Sequence, residues 1–390
     1  MITVEEARAL LFDLVAPLDT EIVPLHEAAG RILAEDVRAT RDQPPFAASS
    51  MDGYAVKATE VELHAMFKVI GESAAGQRFD DKVGPGQAVR IFTGAPVPEG
   101  ADFVVIQEDT DRRGDLITIT DDPGSKTNIR PAGIDFAVGT RIAAPRRLRP
   151  EDIALMAAMN LPLVRVTRKP EIALISTGDE LVMPGETPGP DQIIASNTFG
   201  LKALLEDVGA HVRILPIAQD TVGSLETAFG LAQDADLVVT IGGASVGDYD
   251  LVADVSESLG MERAFYKIRM RPGKPLMAGR MGDTAMVGLP GNPVSAMVCG
   301  YLFLAPMVRH MLGQEQALTP FRRARLTAPL GKNGPREHYM RAVLDENGIR
   351  ACDDQDSSLL SVLAQANALL VRDPHDPERP AGDEVQYLPI

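Results

Sequence analysis

In Asp236–Asp250, DLVVTIGGASVGDYD, an apolar run gives way abruptly to a glycine-rich loop. Leu237, Val238, Val239 and Ile241 are apolar and mostly β-branched, which suits one strand buried on both faces. Gly242, Gly243 and Gly247 then let the backbone turn where few side chains block a ligand's approach. Glycines at the carboxyl end of a parallel strand are where open α/β sheets hold phosphates and nucleotides. Asp248 and Asp250 lie in the same loop. Acids in an anion-binding loop repel a phosphate unless a cation stands between them, so a divalent metal is implied. Taken alone, GGxSxG is more often a glycine turn with solvated acids, and the neighbouring segments decide between the two.

Those segments alternate strand and helix from Glu171 onward. Ile172–Ser176 reads as a buried strand ending in Thr177-Gly178-Asp179-Glu180. Ala195–Val208 reads as a helix capped by Ser196 or Asn197, and Val212–Ile217 as a strand ending at Gln219-Asp220. Residues 221–233 and 250–259 read as helices on either side of the 237–241 strand. Strand–helix units in series predict a doubly wound parallel sheet with right-handed crossovers. Its strand ends would deliver Asp179/Glu180, Asp220 and Asp248/Asp250 to one rim. Next comes FYKIRMRPGK, residues 265–274. Extended, it would put Lys267, Arg269 and Arg271 on one face, with Pro272-Gly273 turning the chain to present Lys274. The bland alternative is an exposed strand face with scattered charge. VGLPGNP, residues 287–293, reads as a strand entering a Pro/Gly turn before an apolar helix.

Composition sets the bounds. A chain of 390 residues with 45% hydrophobic and 24% charged residues fits a soluble globular protein of roughly two to four compact units. The net charge of −17 argues against nonspecific nucleic-acid or anionic-membrane binding, and it means an anionic substrate needs a local basic patch. No apolar run is expected to reach transmembrane length, and MITVEEARAL is unlike a signal peptide. Cys299 and Cys352 stand far apart without a metal-binding spacing, so a cytoplasmic, disulfide-free protein is expected.

Outside the α/β segment, residues 3–16 predict a helix with a Thr3/Glu6 capping box. RDQPPFAASSMDGYAVK, residues 41–57, breaks at Pro44-Pro45 and leads to Asp52-Gly53, which alone reads as a tight turn. A β-rich region follows, with strands expected at 88–93 and 102–108, ending in NIRPAGID at residues 128–135. Residues 150–160 read as a helix with Ile153, Met156, Ala157 and Met159 toward a core, and Arg168-Lys169-Pro170 as a domain boundary. Past Gly313, short strands at 322–328, 338–344, 349–352 and 368–371 suggest a small barrel or sandwich, with 372–385 loop-like.

SSMDGYAV, RIFTGAPVPEGAD, NIRPAGIDF, STGDEL, GGASVGDYD, MRPGKP and LPGNPVS, taken together and in this order, resemble the MoeA family, the molybdopterin molybdenumtransferases to which the gephyrin E domain is related. The resemblance spans nearly the whole chain. It implies a multidomain α/β fold: an elongated mixed dimerisation domain (1–45 and 137–170), a small β-rich domain (46–136), a doubly wound α/β molybdopterin-binding domain of the pterin-adenylyltransferase kind (171–318) and a C-terminal β-barrel-like domain (319–390). It also implies a cytoplasmic homodimer that inserts molybdenum from molybdate into adenylylated molybdopterin, releasing AMP with help from Mg²⁺ or Zn²⁺. The adenylyltransferase and acceptor molybdoenzymes are implied as further partners; nucleic acid and membrane are not.

Carried over by motif, the resemblance gives Asp52, Glu180, Asp220, Asp250, Lys267 and Arg271 as catalytic, with Glu180, Asp220 and Asp250 holding the metal. It gives Thr93, Arg130, Asp135, Gly242, Gly243, Ser245, Gly247, Lys274, Pro290, Pro293, Arg341 and Ser357 as substrate-binding. Arg271 replaces a lysine found in some relatives, which keeps charge but changes fork geometry. Asn160 stands where relatives often have glycine, at a helix C-cap. Two rivals are a molybdopterin adenylyltransferase, against which the extra β domain argues, and a gephyrin-like non-catalytic scaffold, against which the charged sets argue. Tungstate, nearly equal to molybdate in size and charge, is an alternative oxyanion.

Overall fold

A computed structural model describes residues 1–243 and 251–390 of the chain. Its centre is a six-stranded sheet in the order 211–214, 171–176, 237–241, 284–289, 277–281, 261–266. The first four strands are parallel, and Leu237–Ile241 is buried at all five positions between parallel neighbours on both sides. The expected parallel sheet is therefore mixed: the chain returns through Met277–Met281 and Thr284–Leu289 as an antiparallel hairpin, with Met261–Tyr266 at the edge. A hairpin needs only a tight turn, here at Gly282, whereas a parallel return needs a whole crossover.

Alternate residues of each strand feed two cores, as the period of two requires. Ile172, Leu174, Val239 and Ile241 pack with Leu201, Leu205, Val298 and Leu302 on one face. Ala173, Ile175 and Val238 pack with Leu225, Phe229, Val252 and Val255 on the other. Helix Asn197–Asp207 starts two residues later than expected, and Ser196 makes no side-chain cap bond. Helix Val222–Gly230 is capped by Thr221, which accepts from Ser224 N.

Helices Pro293–Cys299 and Ala305–Met311 are joined through a π turn at Gly300–Leu304. Pro306 has no N–H for the Leu302 carbonyl, and Ala305 N reaches back to Gly300 O instead. By length and apolarity this rod could cross a membrane, contrary to the expectation from sequence, but most of it is buried in the core.

Helix Val4–Asp13 carries the expected Thr3/Glu6 capping box, and its Val4, Ala7 and Leu11 pack into the α/β core. A four-stranded sheet in the order 20–24, 163–167, 32–33, 146–147 shares a separate core with helix Pro150–Ala158, including Met156 and Met159. Ala157, expected there, is exposed. Asn160 closes that helix at φ 64°, a left-handed position that asparagine takes more readily than most side chains. The β-rich unit is one six-stranded sheet containing Gly53–Val56, Gln87–Ile91 and Phe103–Ile106. The C-terminal sheet runs 270–271, 337–345, 368–372, 384–389, 322–325, so its edge strand comes from the α/β segment. Strand Glu384–Pro389 and helix Leu360–Gln365 were not expected from sequence.

Candidate active site

The carboxyl ends of the parallel strands open onto a cleft of about 750 Å³. Its wall includes Thr177, Gly178 and Glu180 after the first strand, Asp220 after the second, Gly242-Gly243 after the third and Pro290-Gly291 after the fourth. The rim is acidic, as expected. Asp179 Oδ1 accepts from the backbone N of Asp220 at 3.0 Å, tying two strand ends together. The Asp220 carboxyl is pushed above the ordinary value, first by loss of solvation and then by the charges of Asp179 and Glu180. Glu180 folds back over Gly178, where a Cβ would lie 2.4 Å from its Oε2. Gly242, at φ 100°, passes so close to Thr177 that a Cβ would lie 2.5 Å from the Thr177 carbonyl oxygen. Ser245, Gly247, Asp248 and Asp250 lie outside the described residues. Among the described residues no three metal-ligating side chains gather. The partial set of Glu180 and Asp220, with Asp220 crowded by like charge, suits a divalent cation bound through oxygen.

The basic segment does not form one extended ribbon. It breaks at Lys267, which has φ 70°, because Lys267 O and Arg269 N pair with Ile2 while Met270–Arg271 pairs with the C-terminal sheet. Ile268 and Met270 are buried and Arg269 and Arg271 exposed, so alternation survives only beyond the break. The Lys267 ammonium sits 4.4 Å from the centre of the Tyr266 ring instead of on the opposite face. Lys267, Arg271 and Lys274 make no ion pair among the described residues, and Pro275, next to Lys274, lines the cleft.

Arg341 is fully buried. Its Nη2 donates to the carbonyls of Asp354 at 3.1 Å and Asp356 at 3.0 Å, while Nε and Nη1 have no partner among the described residues. Burial pushes its pKa down. A buried guanidinium with two idle donors is an anion site in waiting. The loop that satisfies its other half is anchored to the LPGNP turn: Ser357 Oγ accepts from Asn292 Nδ2 at 3.1 Å, and Ser357 O accepts from Val294 N at 3.1 Å. Ser357 is thus a tie between domains, and its neighbour Ser358 faces the cleft. Pro290 and Pro293 both line the cleft, Pro293 opening its helix where a missing N–H costs nothing.

Asp52 is held in the β-rich sheet. Its Oδ1 accepts from Thr93 N at 2.7 Å and Thr93 Oγ1 at 2.8 Å. These bonds, backbone first, hold the carboxyl below the usual range, with some help from Arg90. Gly53 is required next to it, since a Cβ would lie 2.0 Å from the Val105 carbonyl oxygen. Arg130 pairs in register with Ala48, and Asp135 N donates to Gln43 O at 3.0 Å; both residues are exposed and make no ion pair with each other among the described residues. None of Asp52, Thr93, Arg130 or Asp135 lines the strand-end cleft of its own chain. Asp179 stands at the rim beside Asp220 as expected, whereas the sequence assigned no site role to Thr177, Asn197 or Asn292, which line the same cleft.

Fold and cleft together define a multidomain α/β protein with a cleft at the strand ends of a sheet covered on both faces, the place where such sheets hold ligands. Residues 2–160 match the MoeA N-terminal region (domain I and II), residues 173–310 a probable molybdopterin binding domain, and residues 323–390 the MoeA C-terminal region (domain IV). The molybdopterin molybdenumtransferase of Haemophilus influenzae is 36% identical over 400 residues, covering 100% of this chain and 99% of that protein. That of Nostoc is 37% identical over 391 residues, covering 95% and 90%. A crystal structure of a molybdopterin biosynthesis MoeA protein from Pyrococcus horikoshii superposes with a TM-score of 0.84 at 30% identity, covering 100% and 99%. The chain belongs to the MoeA family, the molybdopterin molybdenumtransferases.

Proposed function

We propose that this chain inserts molybdenum from molybdate into the dithiolene of adenylylated molybdopterin and releases AMP. It is a transferase of molybdenum cofactor biosynthesis, as its full-length relatives are named. The observation that carries the reading is the acidic rim of the strand-end cleft, into which Ser358 projects from the loop that also accepts from Arg341, a buried guanidinium whose Nε and Nη1 have no partner among the described residues. Molybdate, a tetrahedral dianion, is the oxyanion proposed for Arg341 and the cations Arg271 and Lys274. Lys267 and Arg130 would neutralise the substrate's phosphates and fix its orientation. Glu180 and Asp220, with Asp250, would hold Mg²⁺ or Zn²⁺, whose chemistry when bound is to polarise the phosphoanhydride. Asp52, pinned through one oxygen, keeps Oδ2 available for the molybdate or dithiolene side.

Because Asp52 lies outside its own chain's cleft, we place it in the cleft of a second copy, which makes the working unit a homodimer in the cytoplasm. The adenylyltransferase and acceptor molybdoenzymes are its proposed neighbours in supply and delivery. The test is AMP release from adenylylated molybdopterin on adding molybdate, with Glu180→Ala as comparison. Loss of release in a folded variant supports the reading; release at the normal rate contradicts the metal-holding role.

A further inference from the structure

Two threonine hydroxyls in the α/β core have no hydrogen-bond partner among the described residues: Thr177 Oγ1 and Thr240 Oγ1. Thr177 is 2% exposed and Thr240 is wholly buried. A buried hydroxyl without a partner destabilises a fold, and valine fills the same space without that cost. The two differ in position. Thr240 lies inside the 237–241 strand, paired in register with Ile175 and Gly288. Thr177 follows the 171–176 strand and lines the cleft. Its backbone is fixed, with N donating to Ile241 O at 3.0 Å.

What sets Thr177 apart is its place at the cleft wall, with its hydroxyl beneath the strand-end turn. It faces the side-chain-free surface of Gly242-Gly243, where a Cβ on either glycine would lie 3.1 or 3.0 Å from Oγ1. That turn shields the hydroxyl from water. Both glycines have positive φ, 100° and 68°, a conformation they can leave without side-chain hindrance. Gly242 N donates to Leu289 O at 3.1 Å, so a ligand reaches the hydroxyl only if it displaces this turn outward.

We propose that Thr177 is a binding residue of the cleft whose hydroxyl donates to a phosphate oxygen of the nucleotide-bearing ligand. This deepens the functional reading above and rests on it. Oγ1–H is the donor, the phosphate oxygen the acceptor, and no covalent bond changes. The residue spends stability in the free protein for affinity in the complex, so removing the hydroxyl moves the two in opposite directions. A purely structural threonine cannot do this.

The test compares wild type with Thr177→Val, Thr177→Ser and Thr240→Val, measuring melting temperature without ligand and affinity for AMP and for adenosine in the presence of Mg²⁺. Thr177→Val is expected to melt higher than wild type and to bind AMP about tenfold more weakly, with adenosine affinity unchanged. Thr177→Ser, which keeps the hydroxyl, is expected to bind AMP within about twofold of wild type. Thr240→Val should melt higher and bind AMP normally. Unchanged AMP affinity in Thr177→Val overturns the assignment alone, and equal losses for AMP and adenosine overturn the phosphate contact. Wild type that fails to bind AMP overturns the functional reading and this assignment with it.

Discussion

Asp376 in the C-terminal domain and Asp220 on the cleft rim are both carboxylates set among other charges, and the fold treats them in opposite ways. Asp376 is nearly buried and takes bonds from two arginines: Arg372, itself only 3% exposed, and Arg379, whose Nη2 lies 2.7 Å from Oδ1. Burial works against its charge, but the bonds from Arg379 and Arg372 prevail and hold the carboxyl below the ordinary range. Arg372 in turn donates to the carbonyls of Gly331 at 3.1 Å and Pro377 at 2.7 Å. Asp220 has no such partner among the described residues: partial desolvation and two neighbouring acids push its carboxyl up. Satisfied charge holds a domain together, whereas frustrated charge marks where something else is meant to bind.

The contrast can be broken most decisively at Asp220. Asp220→Asn should lower turnover by about two to three orders of magnitude, measured as AMP release, because a carboxylate proposed to hold the metal is lost. Its melting temperature should stay level or rise, because like-charge crowding is relieved. Asp376→Asn should do the reverse. Denaturant unfolding should show a loss of about 3 kcal/mol, since Arg372 is left buried without its anion, while turnover per folded molecule stays at the wild-type value. Equal effects from the two substitutions on activity and stability would erase the distinction.

A smaller effect is expected at Asp52, which is satisfied but exposed to a ligand. Thr93→Val removes the second of two bonds that hold its carboxyl down, leaving the backbone bond. Turnover should fall about tenfold, and the acid limb of the pH–rate profile should move toward neutral pH. The smallest effect sharpens the account of Asp376 by pH. Its folded pKa is lowered, so its stabilisation is complete above the ordinary carboxylate value and drains away as pH falls through the lowered one. The stability gap between wild type and Asp376→Asn should therefore be widest near neutral pH and close in acid. A gap that widens in acid would reverse the sign assigned here.

What could be read in advance followed local pattern. The 237–241 strand, the Thr3/Glu6 capping box and the acids that close the first two parallel strands, Glu180 and Asp220, are each encoded within a few residues, and the structure places them as expected. Strand Glu384–Pro389 was hidden by the polar run before it, although Val385 and Tyr387 carry the alternation of a half-buried strand. The break at Lys267 was not legible, because its cause is pairing with Ile2 at the other end of the chain. Motif likeness marked Arg341, but the reason for its role, like that of Thr177, was not legible: donors without a partner among the described residues are a property of what fails to surround them, and no sequence window contains it.

The central claim is that the acids at the strand ends serve the chemistry and not the fold. It is tested most directly by measuring AMP release from adenylylated molybdopterin, on addition of molybdate, with wild type and with Glu180→Gln, alongside thermal melts of both. The account predicts turnover by wild type, loss of two or more orders of magnitude in the variant, and melting temperatures that coincide. Turnover by Glu180→Gln at the wild-type rate would contradict it.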